Sequence, residues 1–446
     1  MKKKLIKGGL IVNENKILKK DILIHGERIK EISNEISNLK EKHELINANG
    51  KYIIPGLIDD QVHFRDPGLT HKGDILSESK AAIAGGITSY IEMPNTIPQT
   101  ISLENLDKKF DIASEKSWAN YSFMFGGTND NFEVIKKLDK NNVAGLKLFL
   151  GSSTGNMLID NHETLRKIFL NTDLLISAHC EDESTIKKNL SEYMSTYNKD
   201  IPFKFHPNIR SSEACYISSS NAIKLAQETN ARLHVFHIST SIEVDLFNND
   251  VPLSEKKITS EACIHHLWFT DSDYEKLGSK IKWNPAIKSK KDQDAIWDGI
   301  NNNKIDIIAT DHAPHLLTEK NQNYLSSPSG GPLVQHGLLA LLTCHKKGKI
   351  TLEKIVEKTC HNPAILFEIK DRGYLRENYF ADLVILDLNN STTVSKKNLL
   401  YKCGWSPFEG TIFEARVDST WVNGECAYSD GLLVKRPNVK KLQFNR

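Results

Sequence analysis

A chain of 446 residues with 39% apolar side chains can bury a large core, and at about 150 residues per domain it has room for two or three domains. Its 58 basic and 56 acidic residues leave a net charge of +2, which gives no reason to expect nucleic acid or an anionic membrane as partner. No uninterrupted apolar run approaches the roughly 18 residues of a membrane helix.

The chain opens Met-Lys-Lys-Lys, but no apolar stretch follows before Asn13, which argues against a secretory leader. Seven cysteines, dispersed singly without CxxC spacing, read as reduced thiols of a cytoplasmic protein. Short apolar-rich runs at Lys4–Val12, Asp21–Ile24 and Arg28–Ile32 are broken by Gly8-Gly9, Asn13–Asn15 and Gly26 and predict small antiparallel strands. The same texture returns at Ala381–Leu388 and Thr420–Gly424, with Asn423-Gly424 as a hairpin signal. The two ends, 1–52 and 369–446, are therefore expected to combine into one small β domain split by the segment 53–368.

That segment alternates strand and helix. The run Tyr52–Ile58 predicts a buried strand that ends in Asp59, Asp60, Gln61, His63, Arg65 and Asp66. A helix over Leu76–Ala84 stops at Gly85-Gly86, and the next strand, Thr88–Met93, is tipped by Pro94-Asn95-Thr96. Further strands follow at Tyr121–Phe125, Gly145–Phe149, Leu174–Ala178, Arg232–Phe236, Ile258–Cys263 and Ile305–Ala309. Helices are expected at Asn131–Leu138 and Ser211–Thr229, a flexible loop at Gly151–Gly155, and a long loop over Leu316–Leu333. Eight strands with polar tips are the grammar of a parallel βα barrel, an α/β fold whose chemistry gathers at the C-terminal ends of its strands.

Six tips carry His63, Asn95, Lys147, His179, His237 and Asp311. Singly, each passes as an ordinary surface or core residue, and Lys147 as a snorkelling cation. Together, three imidazoles and a carboxylate converging on one barrel mouth are the ligand set of zinc or a similar divalent ion. His234 precedes His237 by an odd offset, so strand alternation points it to the opposite face.

The motifs DDQVHFRDPG (Asp59–Gly68), MPNT (Met93–Thr96), GLKLF (Gly145–Phe149), HCED (His179–Asp182), HVFHIST (His234–Thr240), WNP (Trp283–Pro285) and TDHAPH (Thr310–His315) resemble those of the dihydroorotases of the amidohydrolase superfamily. The resemblance implies a (β/α)8 TIM barrel with a flanking β-sandwich. It makes His63, His179, His237 and Asp311 metal ligands and places Lys147 where many relatives carry a lysine carboxylated by CO2, an anionic bridge between two cations. One or two zinc or similar ions per subunit would then acidify a bridging hydroxide's parent water, with Asp311 also the general base. Arg65, Asn95, Asn284 and His315 match residues that contact the substrate, and His312 reads as an orienting residue. The reaction implied is the reversible cyclisation of N-carbamoyl-L-aspartate to (S)-dihydroorotate in pyrimidine synthesis, and homodimers are frequent among such enzymes.

The chain departs from that pattern at one position. Gln61 stands where the family's His-x-His motif has its first imidazole, which leaves its part as a metal ligand open. Two rival readings remain. One is a hydantoinase or allantoinase, against which Arg65 argues because their substrates lack a carboxylate in the same place. The other is a non-catalytic partner of aspartate transcarbamoylase, against which the otherwise intact ligand set argues.

Overall fold

The apolar run that reads as one strand, Tyr52–Ile58, is divided at Gly56 between two sheets. Tyr52–Pro55 pairs with Lys3–Asn13 and Leu383–Asp387 in a sheet built from both termini, whereas Leu57–Val62 opens an eight-stranded parallel sheet. Only glycine fits the junction, because a Cβ on Gly56 would collide with the Thr88 side chain. The computed structural model describes residues 3–37, 39, 42–151 and 157–446. Apart from Gly151, the loop expected at Gly151–Gly155 lies outside them.

Among the described residues the terminal sheet has nine strands. Its central strands Tyr52–Pro55, Leu383–Asp387 and Arg416–Val422 are buried almost throughout, and a cluster including Ile6, Ile22, Ile24, Ile53, Leu383 and Trp421 packs against the sheet. At its hairpin Asn423 and Gly424 take φ of 47° and 74°, the left-handed pair that an Asn-Gly turn uses.

The parallel sheet runs in chain order through Leu57–Val62, Ile87–Glu92, Asn120–Gly126, Gly145–Phe149, Ile176–His179, Leu233–Val235, Ile258–Cys263 and Ile307–Ala309. A bridge from Val62 to His312 joins first strand to last, so the sheet is a barrel. The expected eight strands and the flanking terminal β domain are therefore the observed architecture. The helix expected at Asn131–Leu138 contracts to Phe132–Ile135. Asn131 makes no side-chain cap for it, because its Oδ1 accepts from Thr128 N instead.

The barrel is stoppered at one end. Ile58, Ile91, Met124, Leu175, Phe236 and Ile307 cluster with Phe367, Leu442 and Phe444. The C-terminal tail is stitched there by Leu442 N to Tyr121 O at 2.8 Å and by Arg446 Nη2 to Ala144 O at 2.6 Å. What remains open is the end where the polar tips lie.

Candidate active site

Two backbone irregularities aim the side chains of the mouth. In the first barrel strand, Asp59 pairs with Tyr90 but Val62 pairs with Glu92, so three steps oppose two. That bulge cancels the strict alternation and turns both Asp60 and Gln61 to the barrel interior. Asp59 faces the other way, accepting from Thr310 Oγ1 at 2.6 Å. At the sixth strand, regular pairing ends at Val235 and His237 takes φ 43°, which swings its ring into the mouth. Arg65 and Asp311 also sit at positive φ, 68° and 47°. Left-handed backbone is costly for such residues and tends to collect where side chains must be aimed.

A cavity of about 310 Å³ opens there, and all ten side chains singled out in the sequence line it: Gln61, His63, Arg65, Asn95, Lys147, His179, His237, Asn284, Asp311 and His315. The potential metal donors fall into two pairs. His179 Nδ1 lies 2.9 Å from His237 Nε2, and His63 Nε2 lies 3.2 Å from Asp311 Oδ1. Two donors bound about 2.0–2.1 Å from one zinc ion stand about 3–3.4 Å apart, so each pair has the spacing of ligands sharing a cation. His63 Nδ1 is 2.8 Å from Asn95 Oδ1, which accepts its proton and leaves Nε2 bare toward Asp311. His179 Nε2 is 3.0 Å from Glu181, which Arg210 grips from the other side.

Lys147 is 1% exposed, its Nζ 4.1 Å from the Phe236 ring centre and 4.9 Å from that of Phe149. Burial pulls its amine down to about 8, with Asp311 and Glu261 opposing. Burial likewise pushes the Asp311 carboxyl up to about 7, against the pull of Lys147 and His179. Burial holds His63 and His237 well below the ordinary histidine range, as neutral rings able to ligate. Gln61 Oε1 lies 3.7 Å from Cys263 Sγ.

The opposite wall is cationic. Arg65 is 6% exposed and donates from Nε to Pro314 O at 3.1 Å, with Nη2 2.9 Å from His315 Nε2. Burial lowers its guanidinium to about 10. Among the described residues it has no carboxylate within ion-pair distance. Lys72 stands behind His315, with Nζ 3.1 Å from Nδ1. Asn284 Oδ1 accepts from Ser329 Oγ at 2.9 Å, tying the WNP turn to the loop that walls the cavity. That loop is pinned by two buried lysines. Lys320 Nζ donates to Pro328 O and Gly330 O, both at 2.8 Å, and Lys282 Nζ to Tyr324 O and Ser327 O. His312 is an anchor, with Nε2 2.9 Å from Glu78 Oε2 and Nδ1 accepting from Leu333 N.

One sequence expectation fails. His234 does not point away from the interior: it is fully buried, with Nε2 3.5 Å from Asp60 Oδ2. The odd offset from His237 misleads because His237, not His234, has left the strand's alternation. Sequence reasoning also gave no part to Asp60, Glu181, Arg210, Glu261 or the two lysines. The acidic Asp59-Asp60 pair beside Gln61 was the available signal for the first of these.

Residues 52–427 match the amidohydrolase family. The dihydroorotase of Methanosarcina mazei is 32% identical over 448 residues, spanning 98% of this chain and 96% of that protein. The allantoinase of Desulfitobacterium hafniense is 31% identical over 448 residues, spanning 98% of each. Among solved structures, the L-hydantoinase (dihydropyrimidinase) of Arthrobacter aurescens superposes with a TM-score of 0.93 at 26% identity, over 99% of this chain and 100% of that one.

Proposed function

The chain belongs to the amidohydrolase family and is a hydrolase of cyclic amides, and on that premise we propose that it is a dihydroorotase, interconverting (S)-dihydroorotate and N-carbamoyl-L-aspartate and running as the cyclisation step of pyrimidine synthesis. The observation that carries this reading is Arg65, a buried guanidinium that lines the cavity without a carboxylate partner among the described residues. A buried cation without a counter-ion is costly, and the carboxylate of dihydroorotate supplies one in the two-pronged geometry that arginine favours. Allantoin and hydantoin offer no such group in that place.

His63, His179, His237, Asp311 and a carboxylated Lys147 would hold one or two divalent ions, and zinc suits so imidazole-rich a donor set. Such ions would acidify a water and polarise the scissile carbonyl. The Lys147 amine, at about 8, loses a proton to solvent, and adding CO2 through Nζ releases a second as the carbamate forms. The carbamate exchanges a buried positive charge for an anionic group in the cavity that both ligand pairs line. Asp311, at about 7, takes the proton of the attacking water and delivers it to the ring nitrogen as the C–N bond breaks. Cyclisation runs the same transfers in reverse. Arg65 holds the substrate carboxylate with His315 beside it, Asn95 fixes the His63 ring, and Asn284 with the Pro328–Gly330 wall faces the substrate ring.

The allantoinase relative, nearly as similar as the dihydroorotase, keeps an alternative substrate in view. A panel of dihydroorotate, carbamoyl aspartate, hydantoin and allantoin separates them. The expected result is turnover of the first two with kcat/KM at least about 10²-fold above the others, since a site built to pair a polar substrate group rejects analogues lacking it by up to about 10⁴–10⁵. Faster opening of allantoin would replace this reading.

A further inference from the structure

Beneath the catalytic mouth, Asp60, His234 and Glu261 meet inside the barrel, all at 0% exposure. One donor atom from each lies within 4.8 Å of the other two, the only such trio of His, Cys, Asp or Glu among the described residues. His234 Nε2 is 3.5 Å from Asp60 Oδ2 and 4.0 Å from Glu261 Oε2. Both Asp60 oxygens, Glu261 Oε2 and His234 Nε2 are buried without a hydrogen-bond partner. The remaining polar atoms of His234 and Glu261 are satisfied, which holds those two side chains in place. Glu261 Oε1 accepts from His237 N at 3.2 Å and from Cys263 Sγ at 3.1 Å.

His234 Nδ1 lies 2.8 Å from Thr259 Oγ1, which also lies 3.3 Å from Leu233 O. Nδ1 is thus satisfied on its own side of the ring, and Nε2 faces the two acidic side chains without a hydrogen bond. Three polar groups buried against one another without hydrogen bonds are costly to leave unpaired. Nε2 stands beyond normal hydrogen-bond length from both carboxyl groups, so direct pairing does not satisfy it.

We propose that Asp60, His234 and Glu261 bind a divalent cation, zinc or manganese, in the barrel interior, as a site separate from the donors of the mouth. Two carboxylates cancel its charge, and one imidazole with two carboxylate oxygens is a donor set that such ions accept. Ligands on a tetrahedral ion stand about 3.4 Å apart. The Asp60–His234 spacing of 3.5 Å meets that, and Glu261, 4.0 Å from His234 Nε2, closes inward to complete the set. The bulge in the first strand is what creates the site, because without it Asp60 and Gln61 could not both face inward. Its ion would lie directly below the mouth, since Glu261 also holds the backbone of His237. The site does not depend on which ring the enzyme opens.

The test is anomalous diffraction from crystals of the full chain grown with zinc or manganese, recorded above and below the metal edge, with total metal measured on the same protein. The expected result is an anomalous peak bonded to Asp60, His234 and Glu261, distinct from any peak in the mouth. In Asp60→Asn that peak should vanish and metal content should fall by about one equivalent. Density without anomalous signal between the three residues, meaning an ordered water, would overturn the assignment, and so would an Asp60→Asn protein with undiminished metal. The wild-type crystal decides the matter even if the variant does not fold.

Discussion

Glu181 Oε2 lies 3.0 Å from His179 Nε2, across the ring from the Nδ1 that faces His237. A carboxylate there keeps the proton on Nε2 and the lone pair on Nδ1, and it raises the basicity of the ring as a ligand. Glu181→Gln should therefore weaken metal binding in the mouth by about 10–100-fold, the usual scale for removing such a partner. A chelator titration with metal content read at each step checks this. Identical release curves for variant and wild type would deny Glu181 that role.

The same carboxylate makes stability sensitive to acid. Burial works to raise the Glu181 pKa, but Arg210 and His179 outweigh it and hold it at about 2, below its ordinary 4.5. A depressed carboxylate stabilises the fold above its unfolded pKa and loses that contribution as pH falls through the folded one. At about 1.4 kcal/mol per pKa unit the contribution is about 3 kcal/mol at neutral pH. In denaturant titrations of metal-free protein, Glu181→Gln should be the less stable form at pH 7. The gap should close between about pH 4.5 and 2, where protonated glutamate comes to resemble glutamine. A gap that persists at the acid end would contradict the pairing.

Lys147→Ala should lose the ions of the mouth and bring activity close to background, because it removes the carbamate that both ligand pairs would share. Small carboxylic acids supplied in solution should restore part of both by filling the space of the carbamate. A variant with wild-type rate and full metal content in the mouth would rule out a carboxylated lysine.

Lys320 should act on substrate rather than on metal. Its Nζ donates to the carbonyls of Pro328 and Gly330, and those residues wall the cavity. Lys320→Met leaves both carbonyls unpaired and should cost about 1–3 kcal/mol of stability. It should raise KM by about an order of magnitude with kcat and metal content little changed, since the loosened wall lies away from the reacting atoms. A fall in kcat at constant KM would place Lys320 in the chemistry instead.

The strand-and-tip alternation was legible because a barrel buries each strand on both faces, so apolar-rich runs mark the strands and clusters of polar residues mark their ends. That is why Gly145–Phe149 and Ile258–Cys263 could be bounded to the residue. What periodicity cannot register is an interruption of itself. The bulge at Asp59–Val62 and the positive φ of His237 each break a period of two, so the interior pairing of Asp60 with His234 was hidden. Glu181 and Arg210 are 29 positions apart and meet only through the fold. The shortened helix at Phe132–Ile135 turns on which partner Asn131 takes, a choice its sequence does not announce.

Arg65 reads one group on the substrate, and dihydrouracil is dihydroorotate without that group. The most direct measurement is kcat/KM for both rings on the wild-type protein and on Arg65→Met, with metal content confirmed equal. Wild type should favour dihydroorotate by at least about 10²-fold, and the variant should lose about 1.5–3 kcal/mol of that preference, about 10–150-fold, while opening dihydrouracil as before. A wild-type enzyme that opens both rings equally well, or an Arg65→Met variant that keeps the full preference, would contradict carboxylate recognition by Arg65 and the assignment of dihydroorotate with it.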